Sequence, residues 1–68
     1  VKIDVEGHEI EALRGAEALI RRDRPDMLIE VADVNRAEID ALLNSFGYRI
    51  AATHRRYPEN ENVLAIPA

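Results

Sequence analysis

The chain opens with apolar and polar residues in alternation and then changes to a helical period. The run VKIDVE has a branched apolar side chain at every second position, which predicts a short strand with an ionisable second face. Gly7 interrupts the alternation, and residues 8–23 then carry apolar side chains at helical spacing. These side chains are Ile10, Leu13, Ala16 and Ile20. A strand, a glycine turn and a helix form the first half of a βαβ unit.

The end of this first helix is predicted from a proline. Pro25 disfavours helical geometry at Arg24, so we expect the helix to end there in an extended residue. Gly15 lies inside the helix and should cost about 1 kcal/mol relative to alanine. Glu9 and Glu11 lie in the first turn, where the helix dipole favours carboxylates.

A second strand and a second helix follow. Met27–Ala32 is a nearly continuous apolar run, which is typical of a strand buried on both faces of a parallel sheet. Asn35 and Glu38 have the spacing of a capping box, and Gly47 stands where a left-handed cap is needed. Between them lies the clearest helical period in the chain, formed by Ile39, Leu42, Leu43 and Phe46.

Two more strands are predicted over residues 48–53 and 62–66. The polar stretch between them, residues 54–61, is too short for a crossover helix, so we expect an antiparallel pair joined by an irregular loop. Right-handed crossovers would make the first three strands parallel and the last one antiparallel. The sequence therefore predicts an α/β fold with the order β-α-β-α-β-β.

Composition and charge limit the classes of partner. A hydrophobic content of 47% argues against disorder, and a net charge of −4 argues against nucleic acid as a partner. Arg21, Arg22 and Arg24 form a small basic group, but they lie at a helix end, where the dipole favours cations. No apolar run approaches the roughly 20 residues of a membrane span, and the start lacks the form of a signal peptide. We expect a cytoplasmic protein, and we expect this chain, which begins without Met inside a strand, to be part of a longer one.

Ionisable side chains gather where the first strand ends, which is where ligands bind in open parallel sheets. Asp4, Glu6 and His8 would stand at that end. Glu30 interrupts the apolar second strand and would lie on a neighbouring strand about 4.8 Å away. We predict these four residues as catalytic candidates, because a carboxylate or an imidazole can remove a proton from a reacting hydroxyl.

Each candidate also has a structural alternative. Asp4 can accept hydrogen bonds from backbone N–H groups of the turn, and Glu6 can complement the helix dipole. His8 can be a solvated residue of the first turn, which we favour, and Glu30 can accept a buried hydrogen bond. Together with Glu9, the first three are residue types that bind Mg²⁺ or Mn²⁺, but their spacing is no standard ligand set. We therefore predict no metal site.

Several segments carry a resemblance to a known family. KIDVEGHEIEALRGA, RPDMLIEV, FGY and NVLAIP together resemble the carboxyl-terminal half of an FkbM-type S-adenosylmethionine-dependent methyltransferase. The resemblance covers essentially all of residues 1–68, as one portion of a single domain whose cofactor-binding amino-terminal half would precede it. It implies a partial Rossmann-like class I methyltransferase sheet. The chain would supply the fourth to seventh strands of that sheet, with the seventh inserted between the fifth and the sixth.

The resemblance also implies a function. It points to transfer of a methyl group from S-adenosylmethionine to a hydroxyl oxygen of a small-molecule acceptor such as a sugar, a polyketide or a lipid-like compound. Asp4 is then the candidate cofactor contact, whereas the glycine-rich loop and the ribose-binding acid of that fold are absent from the sequence. The alternative is a non-catalytic α/β module with structural carboxylates that pairs with another chain. Residues 1–5 would form an exposed apolar edge, so self-association through them is also predicted.

Overall fold

The computed structural model describes residues 2–3 and 7–68, except for the side chain of residue 56. Its elements are β1 (Lys2–Ile3), α1 (Glu9–Gly15), α2 (Glu17–Asp23), β2 (Met27–Ala32), a 3-10 turn (Asp33–Asn35), α3 (Arg36–Ser45), β3 (Tyr48–Tyr57) and β4 (Asn60–Pro67). The remainder of the predicted first strand lies outside the described residues. No helix in the described part is long and apolar enough to cross a membrane.

The four described strands form one mixed sheet in the order β1-β2-β4-β3. β1 is parallel to β2, and β4 runs antiparallel to both β2 and β3. This confirms that the first three strands share one direction and that the last strand lies between the second and the third. β1 lies at one end of this strand order. Self-association through it stays a prediction.

The β3–β4 hairpin is longer than predicted. We expected an irregular loop over residues 54–61, but only Pro58 and Glu59 lie outside the two strands. The pairing shifts register between Ile50 and Ala52 and again between His54 and Tyr57, so the strands absorb the extra residues. Most of the described side chains in this stretch are exposed, so its polarity reflects contact with water and does not indicate a loop.

The predicted first helix is divided into two. Ala16, with φ −100° and ψ 7°, separates α1 from α2 directly after Gly15, the residue with the weakest helix propensity in the segment. The buried stripe survives the break, since Leu13 on α1 is 0% exposed and Ile20 on α2 is 3% exposed. The prediction that the residue before Pro25 is extended is also wrong. Arg24 is left-handed, with φ 50°, and its N–H still donates to the carbonyl of Ile20 at 2.9 Å.

The helix at residues 36–45 agrees with the periodic pattern, but its predicted cap does not. Asn35 makes no side-chain hydrogen bond to the first turn of α3, so the prediction of a capping box is wrong. Its amide donates instead to Glu9 at 3.3 Å, which links α1 to the start of α3. The left-handed cap is confirmed at Gly47, where φ is 80°.

One hydrophobic core lies between the helices and a single face of the sheet. Met27, Ile29 and Val31 are each 0% exposed, whereas Leu28 between them is 40% exposed. The prediction that β2 is buried on both faces is therefore wrong for this chain. The core combines the following side chains from both layers: Leu13, Ile20, Met27, Ile29, Val31, Ile39, Leu43, Phe46, Tyr48, Val63 and Ala65.

Candidate functional site

Three turns meet at the carboxyl end of β2. The start of α1, the 3-10 turn that follows β2, and the β3–β4 turn are joined there by hydrogen bonds. Because β1 and β2 are parallel, this carboxyl edge is where ligands bind in open α/β sheets. It is therefore the candidate site.

Glu9 is the buried anchor of this edge. Glu9 is only 1% exposed, and both of its carboxylate oxygens accept a hydrogen bond. One oxygen accepts the backbone N–H of Ala32 at 2.8 Å, and the other accepts the amide of Asn35 at 3.3 Å. A buried carboxylate is tolerated when it is hydrogen-bonded in this way. Glu9 thus fixes the end of β2 relative to the start of α1.

Sequence reasoning assigned Glu9 to the helix dipole and missed this role. The available signal was its position four residues before Leu13, which puts both side chains on the same face of α1. Leu13 was predicted to face the core. A carboxylate on the core face must accept hydrogen bonds, so its position predicts a donor close to the start of α1.

Asp33 and Arg55 connect the end of β2 to the hairpin. The Arg55 Nη1 and Nη2 atoms donate to the two Asp33 carboxylate oxygens at 3.1 and 2.8 Å. The hydrogen bonds from Arg55 lower the pKa of Asp33, and the same contact raises the pKa of Arg55. The backbone N–H of Asp33 also donates to the carbonyl of Glu59 at 2.9 Å. Backbone and side chain thus hold the two turns together.

Arg55 also organises the hairpin turn itself. Its Nη1 donates to the carbonyls of Tyr57, Pro58 and Asn60 at 3.3, 2.9 and 3.3 Å. The guanidinium is therefore surrounded by acceptors of this chain. Its charge is committed to the structure of the turn, and it is poorly placed to bind a separate anion.

Arg36, the first residue of α3, makes a similar connection between α3 and β4. Its Nε donates to Asp40 at 2.9 Å, and its Nη1 donates to Glu61. The hydrogen bond to Asp40 is the largest cause that raises the pKa of Arg36. The start of α3 is thereby tied to β4, beside the hairpin turn.

A cavity opens between the 3-10 turn and the hairpin turn. Its volume is about 330 Å³, which lies within the range of small-molecule sites. Val34 on its wall is 91% exposed. The cavity is lined by Ala32, Asp33, Val34, Pro58, Glu59 and Asn60.

Of the four predicted catalytic residues, the structure describes His8 and Glu30. Asp4 and Glu6 lie outside the described residues, so their convergence with Glu30 stays a prediction. His8 precedes α1 with a side chain that is 77% exposed, and its Nδ1 is 4.0 Å from a carboxylate oxygen of Glu11. This is the solvated placement that we favoured. Glu30 is half-buried on β2, opposite Asn62 of β4 and on the sheet face away from the core. In the described part, no three His, Asp or Glu side chains are grouped to hold a metal.

The comparison with family models decides the relationship. The model of the Methyltransferase FkbM domain matches residues 1–50. The chain belongs to the FkbM methyltransferase family. No curated protein and no solved structure matches it. The part that matches the FkbM domain includes Glu9, Asp33 and the whole of β2, whereas Arg55 and the hairpin turn follow it.

Proposed function

We propose that this chain is the carboxyl-terminal portion of an FkbM methyltransferase domain with a Rossmann-like sheet. In the proposal it provides the substrate-facing wall of a site that transfers a methyl group from S-adenosylmethionine to a hydroxyl oxygen. The acceptor is a small molecule of the sugar, polyketide or lipid-like class. The observation that carries the proposal is the family match over residues 1–50, which includes β2, the start of α1 and the 3-10 turn of the carboxyl edge.

The cofactor site would need residues beyond this chain. The glycines are Gly7, Gly15 and Gly47, and no two of them have the Gly-x-Gly spacing of a phosphate-binding loop. Gly7 and Gly47 are single turn residues with positive φ, and Gly15 ends α1. The chain alone does not fit S-adenosylmethionine, so we derive no step through that group.

The residues of this chain can position the acceptor and remove its proton. Asp33 is a poor base because its hydrogen bonds to Arg55 lower its pKa, and a weaker base accepts a proton less readily. Glu9 is excluded by its two hydrogen-bond donors and its burial. We therefore retain Asp4, Glu6, His8 and Glu30 as the candidates that accept the hydroxyl proton, with Asp4 first. Orientation of the acceptor by the fixed turns would supply much of the acceleration.

The test uses the longer protein that contains this chain. Asp4→Asn should lower turnover by about 100-fold or more while leaving the melting temperature nearly unchanged, because it removes a proton acceptor and keeps the shape. The readout is formation of S-adenosylhomocysteine with a panel of glycosides, macrolides and glycolipids. Asp23→Asn is the matched control, since Asp23 pairs with its neighbour Arg22 at the surface.

Two results would be informative against the proposal. Normal turnover of Asp4→Asn would assign Asp4 to the structural role of binding the turn. Absence of methyl transfer to every acceptor, in a longer protein that is folded and binds S-adenosylmethionine, would remove the proposed function itself.

A further inference from the structure

We propose that the cavity at the end of β2 binds a part of the acceptor that is not anionic and that donates hydrogen bonds. This rests on the proposed function, because it places the acceptor beside the methyl-transfer site. The ligand group would be a hydroxyl or an ammonium on a compact ring.

The polar lining is dominated by groups that accept hydrogen bonds. Asp33 and Glu59 supply carboxylates, and Asn60 supplies an amide that can accept or donate. Among the side chains that the structure describes, no lysine or arginine lines the cavity. A ligand rich in hydroxyl or ammonium donors matches this surface, whereas a phosphate or a carboxylate would face like charge.

The two carboxylates differ in their electrostatic state. Asp33 is neutralised by its bidentate contact with Arg55, whose guanidinium is further occupied by three carbonyls. Glu59 makes no ion pair with the residues that the structure describes. Among the described residues, Glu59 is therefore the carboxylate of the lining whose negative charge no cation offsets, and this charge disfavours anions.

The remaining lining is apolar. Val34, Pro58 and Ala32 provide a surface on which the C–H face of a ring can lie. Val34 is 91% exposed although it is a branched apolar residue, so a bound ring would remove apolar surface from water. The combination of acceptors and an apolar wall suits a small hydroxylated or aminated ring.

The walls are fixed before any ligand arrives. Glu9 holds Ala32, Arg55 holds Asp33, and the backbone of Asp33 binds the carbonyl of Glu59. A preformed site loses less conformational entropy on binding than a mobile one. The cavity can therefore select a ligand by charge even though it is open to solvent.

Three ring compounds that differ in charge test this directly. Methyl glucopyranoside is neutral, glucosamine is cationic and glucuronate is anionic. Each is titrated into the ¹⁵N-labelled protein, and the amide signals of Ala32, Val34 and Asn60 are followed. We expect saturable shifts with the first two compounds and about tenfold weaker binding of glucuronate. Tighter binding of glucosamine would identify an ammonium ligand, and equal binding of the two would identify a hydroxyl ligand.

Charge variants make the test specific for the cavity. Glu59→Gln should remove any preference for glucosamine, and Glu59→Lys should improve glucuronate binding by about tenfold. Glu38→Lys is the control, because it makes the same charge change on the exposed surface of α3 and should leave the order of affinities unchanged.

The proposal is overturned if glucuronate binds as tightly as the other two, if no compound gives saturable shifts, or if the shifts lie elsewhere on the protein. No methyl donor is present, so these outcomes are independent of methyl transfer. A longer protein that methylates an acceptor while this cavity binds none of the three rings would retain the proposed function and lose this inference.

Discussion

At the carboxyl end of β2, Glu9 accepts a backbone N–H from Ala32, whereas at the amino end Arg24 donates to backbone carbonyls. Arg24 binds the carbonyls of Phe46 and Gly47, the latter at 2.8 Å, so a cation closes the carboxyl end of α3. An anion thus fixes one edge of the sheet and a cation fixes the other.

The two edges also differ in how completely they are filled. The guanidinium carbon of Arg24 lies 4.7 Å from the centre of the Tyr48 ring, and the Tyr48 hydroxyl donates to the carbonyl of Pro25 at 2.6 Å. Burial raises the pKa of Tyr48. At the carboxyl edge, the pairs bridge separate turns and leave a cavity between them. The comparison suggests that the amino edge stabilises the fold and that the carboxyl edge presents a surface to a ligand.

The largest effect is expected at Glu9. Glu9→Ala leaves the partly buried N–H of Ala32 unpaired and removes the packed volume of a buried side chain, so it should destabilise the protein by about 3 kcal/mol. Glu9→Gln keeps an oxygen for Ala32 and should cost about 1 kcal/mol. Both are measured by urea unfolding. Glu11→Ala, an exposed change in the same turn, should alter the free energy of unfolding by no more than about 0.5 kcal/mol. If Glu9→Ala cost no more than Glu11→Ala, Glu9 would not be an anchor of the fold.

The amino edge is tested at Arg24. Arg24→Ala removes the contacts to two carbonyls and to the Tyr48 ring, and it should cost about 2 kcal/mol by the same unfolding measurement. Arg24→Gly removes the same contacts but adopts the left-handed backbone conformation without strain, so it should destabilise the protein less than Arg24→Ala does.

The control for this edge is Arg22→Ala. The guanidinium of Arg22 hydrogen-bonds to its neighbour Asp23 at the surface, so we expect no measurable change. If Arg22→Ala were as destabilising as Arg24→Ala, the effect would reflect loss of helix-end charge in general. The specific closure of α3 by Arg24 would then be unsupported.

The smallest effect is a shift in titration at Asp33. Hydrogen bonds from Arg55 lower the pKa of Asp33 below its ordinary value of 3.8. The stability contributed by this carboxylate is therefore present above that value and is lost as pH falls through the lower, folded-state pKa. Carboxyl NMR should find the Asp33 midpoint below 3.8, and Arg55→Gln should raise it. Arg36→Gln should raise it less, because Arg36 acts on Asp33 only through a weaker charge interaction.

The sequence was most informative where the spacing of apolar residues by itself determines the secondary structure. Ile39 and Leu43 predicted α3 because their spacing needs no knowledge of the partner surface, and both are buried as expected. The position of β4 between β2 and β3 came from family resemblance, since connectivity alone allows other orders.

The errors arose where tertiary contacts decide the outcome. The polar residues before Tyr57 resembled a loop because sequence does not show that Arg55 would bind the turn and a carboxylate 22 positions away. Asn35 was predicted as a helix cap, but the buried oxygen of Glu9 competes for its amide. Arg24 was expected to be extended, because the proline rule excludes the right-handed helix without selecting among the other conformations.

The break at Ala16 has a consequence for the order of folding. It leaves α1 and α2 with seven residues each, and isolated helices shorter than about 12–15 residues are marginal in water. Neither helix should persist before β2 is available to pack against. The hairpin and the ten-residue α3 are close in sequence, so they can form an early nucleus on which the amino-terminal segment condenses. During synthesis, this segment should therefore stay unfolded until β4 has emerged.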